Sequence, residues 1–469
     1  MRFKGTLILL ILCLGLGAYL YFYEIKGGEQ RDKAKQAENQ IWKLDGSAVR
    51  QIDISAAGQH ITLVRNGEID WAISEPKPLQ ADSDEANRLA GSASDIRRES
   101  MLEENATDLA RFGLDPPQSS LKIKTREGKE FEIHFGRSNP TGSLNYAMVQ
   151  GRKELLLVNS SVASAFDKKL DDLRNHSVLS YEKSEIQSLS IKSAKGDISL
   201  DKDSNDQWWL TGKDRVAADS AGIRGILNSL SMGRIKEFYV EPADGNLKPP
   251  LDHPLVELSL ISGKSRSMKH LIIGSEKPVP ADAKEKNASS DRLYLAKDES
   301  RSDLFYVDKE LVDKLMQSRS DLREKMLAVF QRWDIDSISL TNQKGTFKLS
   351  KSNGEWFLGD AKKKAKYDPI NALFDSLEKK TVELIENPAP LSKYGLDKPI
   401  VHIVLTQGSN VAVDCSLGSP TGKGVYAQVK GDPAVKIADP ETWDKFNISE
   451  LDLIEPPPPQ KAAPPATKK

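Results

Sequence analysis

From residue 41 onward, short runs of alternating apolar residues give way to helical spacings, and the same order returns three times. In the first pass Ile52-Asp-Ile54 and Ile61-Thr-Leu63 alternate as half-buried strands do, Gly67 turns the chain, and Trp71-Ala-Ile73 follows. Asp82-Ser83 then opens a helical segment, its side chains suited to capping free backbone N–H groups. After Phe112-Gly113-Leu114-Asp115 come four further strands, Leu121–Lys124, Glu130–Phe135, Tyr146–Val149 and Leu155–Val158. A closing amphipathic helix carries Val162, Phe166, Leu170 and Leu173 and ends near Asp172-Leu173-Arg174.

The second pass runs through Leu189, Ile191, Ile198 and Leu200 to Trp208, then to Asp219 and a helix with Ile223, Ile226, Leu227 and Leu230. Leu251-Asp252-His253-Pro254 precedes four strands and a closing helix that ends near Asp321-Leu322-Arg323. The third pass has Ile338, Leu340, Trp356, Asp368, a helix with Ile370, Leu373, Phe374 and Leu377, and a closing helix with Trp443, Phe446 and Leu451. Spacing tests the alignment. From Trp71, Trp208 and Trp356 to Asp82, Asp219 and Asp368 the steps are 11, 11 and 12, and to Asp115, Asp252 and Asp397 they are 44, 44 and 41. From those aspartates to Gly136, Gly274 and Gly418 they are 21, 22 and 21. Such register predicts tandem repeats over 41–180, 181–330 and 331–455, in an α+β fold in which each repeat has antiparallel strands and two helical segments.

Outside the repeats the pattern changes. Residues 6–23 are uncharged, rich in Leu, Ile and Gly, and end in Tyr19, Tyr21, Phe22 and Tyr23, which predicts a transmembrane anchor with an aromatic end at the headgroups. Residues 1–5 then form a cytoplasmic tail and 24–40 a stalk, with the bulk of the chain extracytoplasmic and the lipid bilayer a partner through residues 6–23. The Pro-rich stretch 456–469 cannot bury a core and is expected to be disordered.

Composition narrows the functional classes. Lys+Arg 67 against Asp+Glu 68 leaves a formal net charge of -1 and no basic field for nucleic acid. Two cysteines, Cys13 and Cys415, offer no disulfide framework or zinc motif. The histidines His60, His134, His176, His253, His270 and His402 are scattered, and no metal, cofactor or catalytic constellation is expected.

Three features invite a chemical reading. The turn Gly113-Leu114-Asp115-x-Pro117 returns as Gly395-Leu396-Asp397-x-Pro399 and, without glycine, as Leu251-Asp252-x-Pro254. Its aspartates are ligands or acids on one reading; on the other, glycine supplies a positive φ and aspartate closes an Asx turn, and this structural role is preferred. The loops Gly136-Arg137-x-x-x-Thr141-Gly142 and Gly418-x-x-Thr421-Gly422-Lys423 have the residue types of an anion cradle, and equally those of a hairpin turn. Trp71, Trp208 and Trp356 have the chemistry to stack on sugars, yet their recurrence at one strand position points to core.

Phe112-Gly-Leu-Asp115 with Pro117, Tyr394-Gly-Leu-Asp397 with Pro399, Gly136 with Tyr146-Ala147 and Gly418 with Tyr426-Ala427 together resemble the bacterial DUF4340 family of domains of unknown function. The resemblance covers most of 41–455. It implies an anchored envelope protein of the kind often encoded beside transporter components linked to gliding and auxiliary ABC export, and it carries no catalytic residues. The expectation is therefore a non-enzymatic, membrane-anchored scaffold or accessory subunit with membrane-protein partners. The alternative is an envelope protein that binds glycan or an anionic small molecule through the Gly136 and Gly418 loops.

Overall fold

The computed structural model describes residues 16, 19, 37–56, 58–240, 251–278 and 292–455. The expected tail 1–5, nearly all of the anchor 6–23, most of the stalk 24–40, the stretch 456–469 and most of the loop after Gly274 lie outside the described residues. Among the described residues no helix is long and apolar enough to cross a membrane.

Repeat 1 comprises β1 (Val49–Ala56), β2 (Gln59–Asn66), β3 (Asp70–Glu75), β4 (Leu79–Gln80), α1 (Ser83–Ser94), β5 (Arg98–Glu103), β6 (Ser119–Thr125), β7 (Glu130–Ser138), β8 (Leu144–Val149), β9 (Leu155–Asn159), α2 (Ser160–Ala165) and α3 (Leu170–Leu173). Repeat 2 follows with β10 (Ile186–Ser193), β11 (Gly196–Lys202), β12 (Trp208–Leu210), β13 (Val216–Ala217), α4 (Ser220–Met232), β14 (Glu237–Phe238), β15 (Val256–Ser262), β16 (Ser267–Glu276), β17 (Leu293–Asp298), β18 (Phe305–Asp308) and α5 (Lys309–Leu315). Repeat 3 has β19 (Ser337–Asn342), β20 (Gly345–Ser352), β21 (Glu355–Leu358), β22 (Lys363–Lys364), α6 (Tyr367–Leu377), β23 (Glu383–Ile385), β24 (Val401–Gln407), β25 (Asn410–Thr421), β26 (Gly424–Val429), β27 (Val435–Ala438), α7 (Glu441–Phe446) and α8 (Glu450–Leu453).

Each repeat builds one nine-stranded antiparallel sheet, and the strand order is the same in all three: β4-β3-β2-β1-β6-β7-β8-β9-β5 in the first, with the second and third following suit. Two strands per sheet escape the sequence pattern, the short one before the main helix and the edge strand after it. Both are too short or too exposed to show an alternating apolar face.

Register explains why the three cores are alike. Ile52 faces Leu63 on one side and Ile123 on the other, and Ile54 faces Ile61 and Leu121. The same rows recur as Leu189 with Leu200 and Leu260, and as Ile338 with Leu349 and Leu405. A one-residue slip would turn each row to the opposite face, so the buried rows fix the pairing. In repeat 1 these side chains pack with Ala86, Leu89 and Ala93 of α1, and Phe135 stacks on Phe166. Each such side chain contributes about 1.5–3 kcal/mol on burial. The closing helix expected over 162–173 is broken into α2 and α3, with Phe166 leaving the helix to fill the core.

Helix starts differ in one respect from the sequence reading. Asp82 caps α1 by accepting from the N–H groups of Asp84 and Glu85, and Asp219 caps α4 through those of Ala221 and Gly222. Asp368 does not cap α6. Lys366 stands at the cap position without a side-chain bond, and Asp368 lies in the first turn, where a carboxylate still favours the positive end of the helix.

Contacts divide the chain into two compact units. One is Met1–Ser177 with Arg234–Tyr239 and Glu299–Phe305; the other is Val178–Gly233 with Val240–Asp298 and Tyr306–Lys469. The compact division thus cuts across the sequence repeats, because two pieces of repeat 2 belong to the unit that contains repeat 1.

Candidate functional site

The recurring turn is a helix-end motif laid on the outer face of its sheet. Ala110–Phe112 forms a short 3-10 helix, after which Gly113 adopts φ 70. Gly113 N–H donates to the Ala110 carbonyl and Leu114 N–H to that of Leu109, the paired bonds of a Schellman cap. Repeat 3 repeats this with Gly395 at φ 68, bonded to Ser392, and Leu396 bonded to Leu391. Leu109, Phe112 and Leu114 cluster with Tyr146, Met148 and Leu155, whereas the alternate residues Ala147, Val149 and Leu156 belong to the main core. Strand alternation therefore places the turn on the face opposite α1. Phe112 packs on Tyr146 at 4.8 Å between centroids, and Tyr394 on Tyr426 at 4.9 Å.

The later marker glycine belongs to the same joint. A Cβ on Gly136 would stand 2.3 Å from the Phe112 carbonyl oxygen, and one on Gly418 2.1 Å from that of Tyr394. Only glycine lets the turn lie this close to the strand. The aspartates add less than expected: Asp115 and Asp397 are exposed, and among the described residues neither side chain closes an Asx turn. Asp252 and Pro254 sit beside the start of β15, with Asp252 exposed. Pro117 and Pro399 are exposed residues just ahead of β6 and β24. The three tryptophans Trp71, Trp208 and Trp356 are buried, and Trp71 donates its indole N–H to Asn87.

The two glycine-rich loops are alike in sequence and different in shape. In the first, Asn139 organises the turn: its Oδ1 accepts from Leu144 N–H and from the Thr141 hydroxyl, and Gly142 N–H donates back to the Asn139 carbonyl. Ser160 closes over it by donating to the Gly142 carbonyl. In the second, Thr421 pairs with Gly424 in the β25–β26 ladder, leaving Gly422-Lys423 as a tight turn. Lys423 Nζ there lies 2.6 Å from Glu383, so its charge already has a partner. Arg137 is exposed on β7, its stem against Gly113.

The most elaborate polar chemistry lies elsewhere, in residues that the sequence reading did not single out. Arg174 follows α3 and is buried. It donates to Asp303 Oδ2 at 2.6 Å, and its guanidinium lies over Phe238. Arg301 donates to both oxygens of Asp303, at 2.8 and 3.0 Å, and to the carbonyls of Asn175 and Ser177. Burial alone would raise the Asp303 pKa, but the hydrogen bonds from Arg301 and Arg174 outweigh it and hold the carboxyl below the ordinary range.

The other compact unit holds a counterpart. Buried Arg323 pairs with Asp432 and, at 3.8 Å, with Glu386. Lys436, also buried, reaches Asp432 at 3.4 Å and donates to the carbonyls of Met326 and Leu327. Burial pushes the Lys436 pKa down, against the pull of Asp432. In both clusters, then, one carboxylate bridges an arginine that ends a repeat and a cation of the following repeat, and that cation binds the connecting main chain. Both arginines leave a buried Nε without a partner. The signal for these sites was the recurring Asp-Leu-Arg of 172–174 and 321–323; the third repeat has Asp452-Leu453-Ile454 instead.

A groove of about 320 Å³ lies between α4 and α5, lined by Gly222, Gly225, Ser229, Lys314, Gln317 and Asp321, among others. At the matching place in repeat 1, Glu85 instead pairs with Arg88 and Lys168. Among the described residues, no group of three or more His, Cys, Asp or Glu is placed to hold a metal ion. Cys415 is buried in the core of repeat 3, and burial pushes its thiol up to about 12.

The joint turns, their glycines and their stacked aromatics lie within the stretches 71–252, 284–399 and 358–458 that match the family model described as Domain of unknown function (DUF4340). The chain belongs to the DUF4340 family. No curated protein and no solved structure matches the chain. The first DUF4340 stretch begins at Trp71 in β3 and ends at Asp252 in the next repeat. Its frame is therefore offset from the sheets, and it includes Arg174 and the connecting segment behind it.

Proposed function

We propose that this DUF4340 chain is a non-enzymatic scaffold or accessory subunit of an ABC-type transporter or envelope complex. It is held by residues 6–23 in the cytoplasmic membrane, with its bulk on the outer side. The observation that supports this reading is the placement of its buried charge. Asp303 and Asp432 each bridge two cations, and in each case one of those cations bonds the main chain that connects successive repeats. A buried ion pair is weak evidence for added stability, and in this chain we read the two clusters as fixing geometry. Their use at connecting segments suits a protein whose task is to present surface in a fixed arrangement. The membrane anchor and the transporter link rest on the apolar stretch 6–23 and on the family resemblance.

Affinity purification of the full chain from membranes in gentle detergent tests this. The expected result is recovery of an integral-membrane partner in constant ratio, lost when residues 41–455 are replaced by an unrelated domain. Recovery of no membrane partner contradicts it.

A further inference from the structure

Among the described residues four asparagines open an Asn-x-Ser/Thr triplet with no proline in the middle: Asn105, Asn159, Asn175 and Asn447. Asn139-Pro140-Thr141 fails on its proline. Three of the four are taken up by the fold. Asn159 caps α2, its Oδ1 accepting from the Ser161 N–H and hydroxyl. Asn175 Oδ1 accepts from Ser177 N–H. Asn447 has a buried Oδ1, and Ser449 of its triplet donates to Asp452.

Asn105-Ala106-Thr107 differs. It lies in the open segment between β5 and the joint turn. Ala106 turns inward, packing on the cluster of Phe112, Leu114 and Leu155, and its N–H donates to the Lys153 carbonyl at 3.0 Å. Asn105 and Thr107, on either side of it, are both exposed, and among the described residues neither side chain has a hydrogen bond. Two residues ahead stands Glu103, exposed and, among the described residues, outside any ion pair. The matching place in the other three triplets holds Leu157, Leu173 and Lys445.

We propose that Asn105 is an acceptor for N-linked glycan, with a polyprenyl-diphosphate-linked oligosaccharide as donor and a membrane oligosaccharyltransferase as catalyst. The inference rests on the reading that the bulk of the chain lies outside the cytoplasmic membrane, the side on which such glycan is transferred. The Asn105 amide nitrogen bonds to the anomeric carbon of the donor's first sugar as the bond from that carbon to the diphosphate oxygen breaks. The diphosphate leaves with the electron pair, and the amide gives up one proton to solvent. For this the amide must be free and the hydroxyl two residues on must be open to the enzyme. With Ala106 turned inward, both conditions are met at this triplet. Glu103 supplies a carboxylate for a cation in the enzyme's peptide groove, a charge-assisted contact that the other three triplets lack.

The test uses the full chain in bacterial cells that glycosylate an exported reference protein from such a donor. Alkaline phosphatase, active only outside the cytoplasm, is fused after residue 469 to report the compartment, and peptides are read by mass spectrometry. The expected result is an active phosphatase and a glycan mass on the peptide that holds Asn105. That mass is absent in Asn105→Gln and Thr107→Ala, retained in Thr107→Ser and about tenfold scarcer in Glu103→Lys. Peptides holding Asn159, Asn175 and Asn447 stay unmodified. Active phosphatase with Asn105 bare overturns the proposal, and so does glycan on the other three triplets, since exposure and a free amide would then not be what selects. An inactive phosphatase instead removes the outer location, and the proposal falls with the reading it rests on.

Discussion

The two buried ion clusters solve one problem with different cations. At Asp303 both partners are guanidinium groups, and Arg301 spreads four bonds over one carboxylate and two main-chain carbonyls. At Asp432 the second cation is Lys436, a point charge that bonds two carbonyls and stands 3.4 Å from the carboxylate. Arginine's planar fork suits simultaneous bonds to a carboxylate and its surroundings, while lysine loses more when desolvated because its small charge is strongly hydrated. The requirement common to both clusters is a bridging carboxylate and a cation holding the connecting segment. The chemical identity of that cation is secondary.

The comparison is broken most severely at Asp303. Asp303→Ala leaves Arg174 and Arg301 buried together without their counterion, and a loss of about 3–5 kcal/mol is expected in denaturant unfolding of the full chain. A loss below about 1 kcal/mol would show that the two arginines are compensated in some other way. Lys436→Met is milder, because Asp432 keeps Arg323. The expected cost is about 1–3 kcal/mol for the two carbonyls left without donors, read in the same experiment.

Glycine at the joint turns gives an effect of similar size by a different route. Gly136→Ala and Gly418→Ala each force a carbonyl away from the strand, with an expected cost of about 1–3 kcal/mol and loss of the Phe112–Tyr146 or Tyr394–Tyr426 packing in tyrosine fluorescence or ring NMR signals. Equal stability of the alanine variants would mean that the turn does not lie where it is described.

Acid separates the clusters further. The Asp303 carboxyl has a lowered pKa in the folded chain, so its contribution is fully present above the ordinary value of 3.8 and is lost as pH falls through the lower folded value. Lys436 has the same sign of shift with the opposite consequence at neutral pH. Its burial cost is present below its folded pKa and is relieved as pH rises toward 10.5. The difference in stability between wild type and Asp303→Asn should shrink as pH falls below 3.8 and vanish below the lower folded value; a difference that stays full throughout would exclude Asp303 titration as the source. The smallest expected effect lies in the α4–α5 groove. Gly225→Ala meets no atom within 4 Å and should stabilise α4 by about 0.5–1 kcal/mol in thermal unfolding.

Much of this architecture is written in local pattern. Trp71, Trp208 and Trp356, the helix rows such as Ile223, Ile226, Leu227 and Leu230, and the Gly113 and Gly395 turns each follow from short-range rules, and three copies reinforce one another. Asp368 keeps the spacing of Asp82 and Asp219 but not their capping role, because α6 starts two residues further on the N-terminal side, with Lys366 at the cap position. The edge strand β5 was invisible, since five of its six residues are exposed and no alternating pattern survives on an open edge. The ion clusters were hidden for another reason. Arg174 and Asp303 are 129 residues apart, and nothing local to either says that they meet. The hairpin loops show the converse, with similar residues in 136–142 and 418–423 serving a wide turn in one case and a tight one in the other.

The account stands on the claim that buried carboxylates fasten the connecting segments between repeats. Hydrogen exchange of the amides of residues 174–178, compared between the full wild-type chain and Asp303→Asn, tests it most directly. The account predicts that exchange in this segment accelerates by at least about tenfold while the amides of β1 and β6 keep their protection. Unchanged protection of 174–178, with Asp303→Asn folded, would contradict it.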